Sequence, residues 1–142
     1  LRHGEDIKII ENKEALLDGP EENITKLIEI VKEEFNKGSV TCALICPDKN
    51  YARGVYERLY KYKNTLGKDI ADFSHEDYKT GLLVLPVENA KGLEFDTVIL
   101  LDVNSDTYSN TELSVRLLYV AITRALHRLI VITNRNKSPL LI

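Results

Sequence analysis

Leu82–Val103 reads LLVLPVENAKGLEFDTVILLDV. Two runs of leucine and β-branched residues flank a polar segment that contains a lysine-glycine pair and a glutamate. LLVLPV predicts one strand and Thr97 to Val103 a second. Both are apolar at successive positions, as in strands covered on both faces of a parallel sheet. The turn between them then places Lys91, Gly92 and Glu94 after the carboxyl end of a strand, where open α/β sheets bind their ligands. Gly92 permits close approach of a ligand or backbone, Lys91 offers a charge to phosphate, and Glu94 can accept from a ribose hydroxyl.

The same alternation extends outward. Ile7 to Ile10 is a short β-branched run, followed after Pro20 by Ile24, Leu27, Ile28, Val31 and Phe35 at helical spacing until Gly38. SVTCALIC is apolar on both alternations, and Asp48 is placed to cap a helix running to about Leu66. KDIADF is a weaker strand, and HEDYKTG reads as a loop. Beyond Val103, NSDTYSNTE is turn material before a predicted helix from about Thr111 to His127, and LIVIT closes as a strand. Strands alternating with helices predict an α/β fold with a mostly parallel sheet and helices on both faces.

A chain of 142 residues suits one domain, predicted here over residues 1–142, able to bury about two-thirds of its unfolded surface. With 44% hydrophobic and 29% charged residues, it is a soluble globular type rather than a disordered or fibrous one. The net charge of −3 argues against binding nucleic acid by bulk positive charge, so any such contact is local. Cys42 and Cys46 are four positions apart in a predicted strand, with Cα atoms roughly 13 Å apart, too far for a disulfide. They read as buried thiols, which fits a cytoplasmic protein. No apolar run is long enough to cross a membrane. The chain begins with Leu1, which suits an excised piece of a longer protein, although processing or trimming leaves the same start.

The predicted helix ELSVRLLYVAITRALHRL is the second place of interest. At about 100° per residue, Val115, Leu117, Leu118, Ala121, Ile122, Ala125 and Leu126 form a broad apolar face. Arg116, Thr123 and His127 lie opposite with Val120 beside them, and Arg124 falls at the seam. A valine among polar residues and an arginine at the margin point to contact with another surface. Read alone, Arg124 equally fits a cation favoured by the helix dipole, and the lysine-glycine turn fits a solvated loop. His3, His75 and His127 share no ligand spacing, so no metal site is expected. The phosphate loop G-x-x-x-x-G-K-[ST] is absent from the sequence, so the chain is not expected to hydrolyse ATP by itself through that device.

Taken in order and at their spacing, NAKGLEFDTVIL and RLLYVAITRALHRL resemble motifs V and VI of the UvrD/Rep-type superfamily 1 helicases, here at about 86–96 and 113–126. More weakly, ALICPDKNYARGVYERL is similar to the strand and helix that open the family's C-terminal RecA-like motor domain. The similarity spans roughly Val40 to Thr133, and RHGEDIKIIE looks like the segment after motif IV. The resemblance implies a second RecA-like domain that lacks its own phosphate loop and completes an ATP site with the N-terminal RecA-like domain of the same parent. Carried over by motif position, Gly92 and Glu94 line the nucleotide, Glu94 near the ribose, with Lys91 a neighbour. Arg124 is the arginine finger at the γ-phosphate, and Tyr119 supports the helix and the domain interface. ATP and Mg2+ belong to the parent, with the Mg2+ ligands outside this chain.

Two departures bear on the implied partner, single-stranded DNA. Where many relatives have TxHSAKG, this chain has Pro86 and Glu88 at the threonine and histidine places, and a glutamate repels a phosphate backbone. CPDKNYAR retains only Arg53 of a YRSNAQSR-like segment. The pattern is similar to the HelD-like branch, whose members act on RNA polymerase. A third reading is a non-enzymatic interaction module that uses Tyr119, Val120 and Arg124 as its binding face.

Overall fold

The computed structural model describes residues 6–74, 77–134 and 136–141, so His3 and His75 lie outside the described residues. The strands are β1 (Asp6–Glu11), β2 (Thr41–Cys46), β3 (Ile70–Asp72), β4 (Gly81–Pro86), β5 (Phe95–Leu100) and β6 (Ala125–Thr133). They form one sheet in the order β1-β6-β5-β2-β4-β3, and every pairing between them is parallel. Parallel neighbours need long crossovers. These carry the helices α1 (Glu21–Asn36), α2 (Lys49–Tyr60), α3 (Lys63–Leu66) and α4 (Glu112–Ile122), with a 3-10 turn at Val87–Asn89.

β2 and β4 read apolar on both alternations because both faces are covered. On one face α1 and α2 bury Cys42, Leu44, Leu82, Val84 and Ile99 under Ile28, Val31, Val55 and Leu59. On the other, α4 sets Leu118 and Ala121 against Ala43, Leu83, Val98, Leu100 and Leu129. Both cysteines are buried and free. Burial pushes both thiols up, which leaves them unreactive. Among the described residues no helix is long and apolar enough to cross a membrane.

Asp48 caps α2 as expected, accepting from Tyr51 N at 2.8 Å. The helix does not run to Leu66, however. Tyr62 N–H turns back to Leu59 O at 2.9 Å, tightening the last turn, and α3 follows before Gly67 closes it at φ 72°. Arg58, Lys61 and Tyr62 all converge on Glu21 at the start of α1, a tertiary anchor that holds the chain at this break.

Two boundaries near the motifs also differ. β5 covers Phe95–Leu100 rather than Thr97 to Val103. At Asp102 the backbone is left-handed, φ 47°, and the chain turns away behind an unbroken apolar run that hides the bend. Leu101 N–H still reaches β2 at Ile45 O, and Val103 N–H reaches β6 at Ile132 O. The predicted helix to His127 instead ends at Ile122, and Ala125, Leu126 and His127 belong to β6. Ala125 pairs with Phe95. Strand pairing therefore overrides the helical period. Of the predicted apolar face, Val115 and Leu126 are exposed, at 47% and 41%.

Asp102 sits at the carboxyl edge of the sheet with its side chain in the core. Its Oδ2 accepts from Leu16 N at 2.8 Å, and Oδ1 is buried with no hydrogen-bond partner among the described residues. Burial raises its pKa from 3.8 to about 6, against the pull of the Leu16 N–H, with the charge of Asp18 adding to the rise. The folded state thus holds this proton more tightly than the unfolded chain does. The resulting stabilisation is complete below the unfolded value and is lost as pH rises through about 6. It is worth about 2–3 kcal/mol. Asp102→Asn should flatten the pH dependence of unfolding free energy between pH 4 and 7, measured by urea titration; an unchanged slope would refute the assignment.

Candidate nucleotide site at the amino edge of the sheet

The segment from Val87 to Glu94 leaves the carboxyl end of β4 and must return to the amino end of β5, because the two strands are parallel on either side of β2. Only its first half lies where the sequence placed the whole turn. Val87 and Ala90 are buried, and Leu93 N–H bonds to Ala90 O at 3.1 Å, turning the chain across the sheet. Lys91, Gly92 and Glu94 are exposed, and Glu94 immediately precedes Phe95, the first residue of β5. The expected carboxyl-edge position is therefore corrected to the amino edge for Glu94. The cause is the crossover, which eight residues have to span.

Arg124 is the residue immediately before β6. Phe95 N–H donates to Arg124 O at 2.9 Å, so the amino ends of β5 and β6 are bonded to each other one residue beyond Glu94. Two stretches nearly thirty residues apart in sequence are thereby brought side by side. A register shift between Phe95 and Thr97 opens the ladder here, an irregularity that re-aims side chains at functional edges.

Gly92 has φ 83°, the left-handed region, and a Cβ built there meets nothing within 4 Å. The glycine serves backbone conformation and leaves open space above it. Gly92→Ala should accordingly cost the backbone strain alone, about 1–2 kcal/mol of stability. At Gly81, φ 90° is combined with Asp69 O at 2.7 Å from the added Cβ, so Gly81→Ala should cost clearly more. Thermal melts of the two variants would check that order.

The half-buried Arg124 side chain folds onto the end of its own helix. Nε donates to Val120 O at 3.1 Å and Nη2 to Thr123 Oγ1 at 3.1 Å. The Thr123 hydroxyl in turn reaches Tyr119 O at 2.9 Å and Val120 O at 3.0 Å. These are the last carbonyls of α4, the negative end of its dipole. Tyr119 is 68% exposed and Val120 half-buried.

The amino edge is stiffened by groups that sequence reading passed over. Asp96 Oδ2 accepts from Val40 N at 2.8 Å and Thr41 N at 3.2 Å, tying β5 to the start of β2, and His127 Nε2 lies 3.8 Å from its Oδ1. Glu34, buried on α1, accepts from Arg128 Nε at 2.6 Å and Thr97 Oγ1 at 3.1 Å. A charged residue at helical register within a mostly apolar face was the available signal for Glu34. Nothing local marks Asp96.

At the opposite edge Glu88 is exposed in the 3-10 turn. Arg53 is exposed on α2, with Nη1 3.2 Å from Asn50 Oδ1 and its guanidinium 5.6 Å from the Phe73 ring centre. Among the described residues no three potential metal ligands cluster.

Residues 81–132 match the model of the UvrD-like helicase C-terminal domain family. No curated protein matches the chain. Among solved structures, the C-terminal domain of a possible DNA helicase from Lactobacillus plantarum WCFS1 is similar with a TM-score of 0.71 and 26% identity, covering 96% of this chain and 78% of its own. The structure of Cas3 with ATP from T. fusca shares the fold at a TM-score of 0.62 and 16% identity, over 92% of this chain and 18% of that one. The family match takes in β4, β5, α4 and β6, the elements that bring Glu94 beside Arg124, and the structural likeness extends over nearly all the rest: residues 81–132 are similar to the UvrD-like helicase C-terminal domain, within a RecA-like α/β fold.

Proposed function

We propose that this domain is the C-terminal motor domain of an ATP-dependent helicase, and that its amino edge completes an ATP site shared with the N-terminal RecA-like domain of the same parent. The observation that carries this reading is the bond from Phe95 N–H to Arg124 O, which sets Glu94 and Arg124 at adjoining strand ends. Neither strand end alone offers both an acceptor for a ribose hydroxyl and a cation for phosphate. Gly92 and Glu94, with Lys91 beside them, contact the nucleotide, and Arg124 is the arginine finger. The first motor domain supplies the phosphate loop and the Mg2+ ligands. Mg2+ held by that first domain would supply neutralising charge at the phosphates, and the Arg124 guanidinium would offset the charge that spreads over the transferring oxygens.

Single-stranded DNA is the proposed track, lying across the carboxyl edge, where Arg53 stands at the start of α2. One observation favours a different task for the same motor. Glu88 is exposed at that edge, where a carboxylate opposes a phosphate backbone, and this supports a HelD-like remodeller of RNA polymerase. ATP hydrolysis by the full-length parent separates the readings. Stimulation by single-stranded DNA is the expected result, whereas stimulation by RNA polymerase with indifference to DNA would transfer the assignment. No hydrolysis under either condition would leave an interaction module built on Tyr119, Val120 and Arg124.

A further inference from the structure

We propose that Thr123 is a positioning residue that sets the direction in which Arg124 presents its guanidinium to phosphate. The inference rests on the reading of Arg124 as the finger. A hydroxyl has one hydrogen to give. Here it is directed at the carbonyls of Tyr119 and Val120, at 2.9 and 3.0 Å. The oxygen lone pairs are left for Arg124 Nη2, at 3.1 Å. With Nε on Val120 O at 3.1 Å, the side-on edge of the guanidinium, Nε and one Nη2 hydrogen, is fully committed to the end of α4.

The remaining donors are both hydrogens of Nη1 and the second of Nη2. One hydrogen of Nη1 and that second hydrogen of Nη2 form the end-on edge of the fork, which matches two oxygens of one phosphate. The helix therefore holds the arginine by one edge and leaves the other free to bind. Backbone bonds from Arg124 N to Ala121 O at 3.2 Å and from Phe95 N to Arg124 O at 2.9 Å fix the Cα from which the side chain extends. Thr123 is then what prevents the guanidinium from pivoting about its single bond to Val120 O. Such restraint contributes to rate by pre-organising charge before the transition state forms.

The test is steady-state ATP hydrolysis by the full-length parent. Thr123→Val removes the acceptor while keeping the shape, and should lower kcat about tenfold, with KM for ATP little changed. Thr123→Ser keeps the hydroxyl and should retain turnover close to that of the parent. In an Arg124→Ala background, Thr123→Val should cause no further loss, since there is nothing left to aim. If Thr123→Val does not fold, as judged by its thermal melt, Thr123→Ala takes its place in the same cycle. Unchanged or raised turnover in Thr123→Val would overturn the proposal, as would a loss shared by Thr123→Ser or one additive with Arg124→Ala. A slow Arg124→Ala enzyme alongside a normal Thr123→Val would remove the positioning role and keep the finger. A normal Arg124→Ala enzyme would remove the finger itself.

Discussion

In the full-length parent, Arg124→Ala is expected to lower ATP turnover at least about a hundredfold, as removal of a transition-state cation does, while ATP binding stays largely intact. The selectivity follows from where the guanidinium is bonded. Its hydrogen-bond partners are Val120 O and Thr123 Oγ1 in its own helix end. The β5 to β6 junction is held by the Arg124 main-chain carbonyl instead. Alanine keeps that carbonyl, so the sheet should survive, at the cost of a helix-end interaction worth about 0.5–1 kcal/mol. Arg124→Lys should remain slow as well, because an ammonium retains the charge and loses the fork. Steady-state hydrolysis paired with binding of a fluorescent nucleotide reads the two effects separately. Equal losses of binding and turnover would show that Arg124 acts in the ground state and is not a finger.

The largest effect on stability is expected at Arg128→Ala. Glu34 has a side chain only 4% exposed and is held by Arg128 Nε at 2.6 Å, with Thr97 Oγ1 at 3.1 Å and Lys37 Nζ at 3.5 Å. Thr97 is further linked to Ser39 Oγ at 2.7 Å, so the carboxylate joins α1, β5, β6 and the start of β2. Truncating the arginine leaves a buried charge facing one distant ammonium and one hydroxyl. Breaking such a pair costs about 3 kcal/mol or more, and for a domain of this size that lowers Tm by roughly 10 °C. Adding Glu34→Gln should recover part of the loss, since it removes the uncompensated charge rather than a second favourable contact. Urea unfolding of the two single variants and the double variant would show this. If the double variant is no more stable than Arg128→Ala, the pair contributes nothing through its charge.

Much of the architecture was legible because buried parallel strands are apolar at successive positions, and α1 shows a full helical stripe from Ile24 to Phe35. The motif residues were legible by resemblance. Their neighbours were not. ITRALHRL continues the helical period of α4, yet Ala125 to His127 are strand, because pairing with Phe95 and the ladder beyond it satisfies backbone groups that an extra helical turn would leave facing the sheet edge. Asp102 was hidden within an apolar run, and the left-handed turn at that position is visible only once Leu101 and Val103 are seen to bond to different strands.

The sequence by itself determined the class of fold, the order of its strands and helices, the absence of a phosphate loop, and the two stretches that resemble the helicase motifs. These depend on local periodicity and on residue type, which the chain states one position after another. Only the tertiary structure decided that Glu94 and Arg124 lie at the amino edge rather than the carboxyl edge, and that Thr123 and the end of α4 hold the arginine by one side of its fork. Those facts depend on which strand lies beside which. Hydrogen bonds between segments distant in the chain settle that, and no local pattern encodes them.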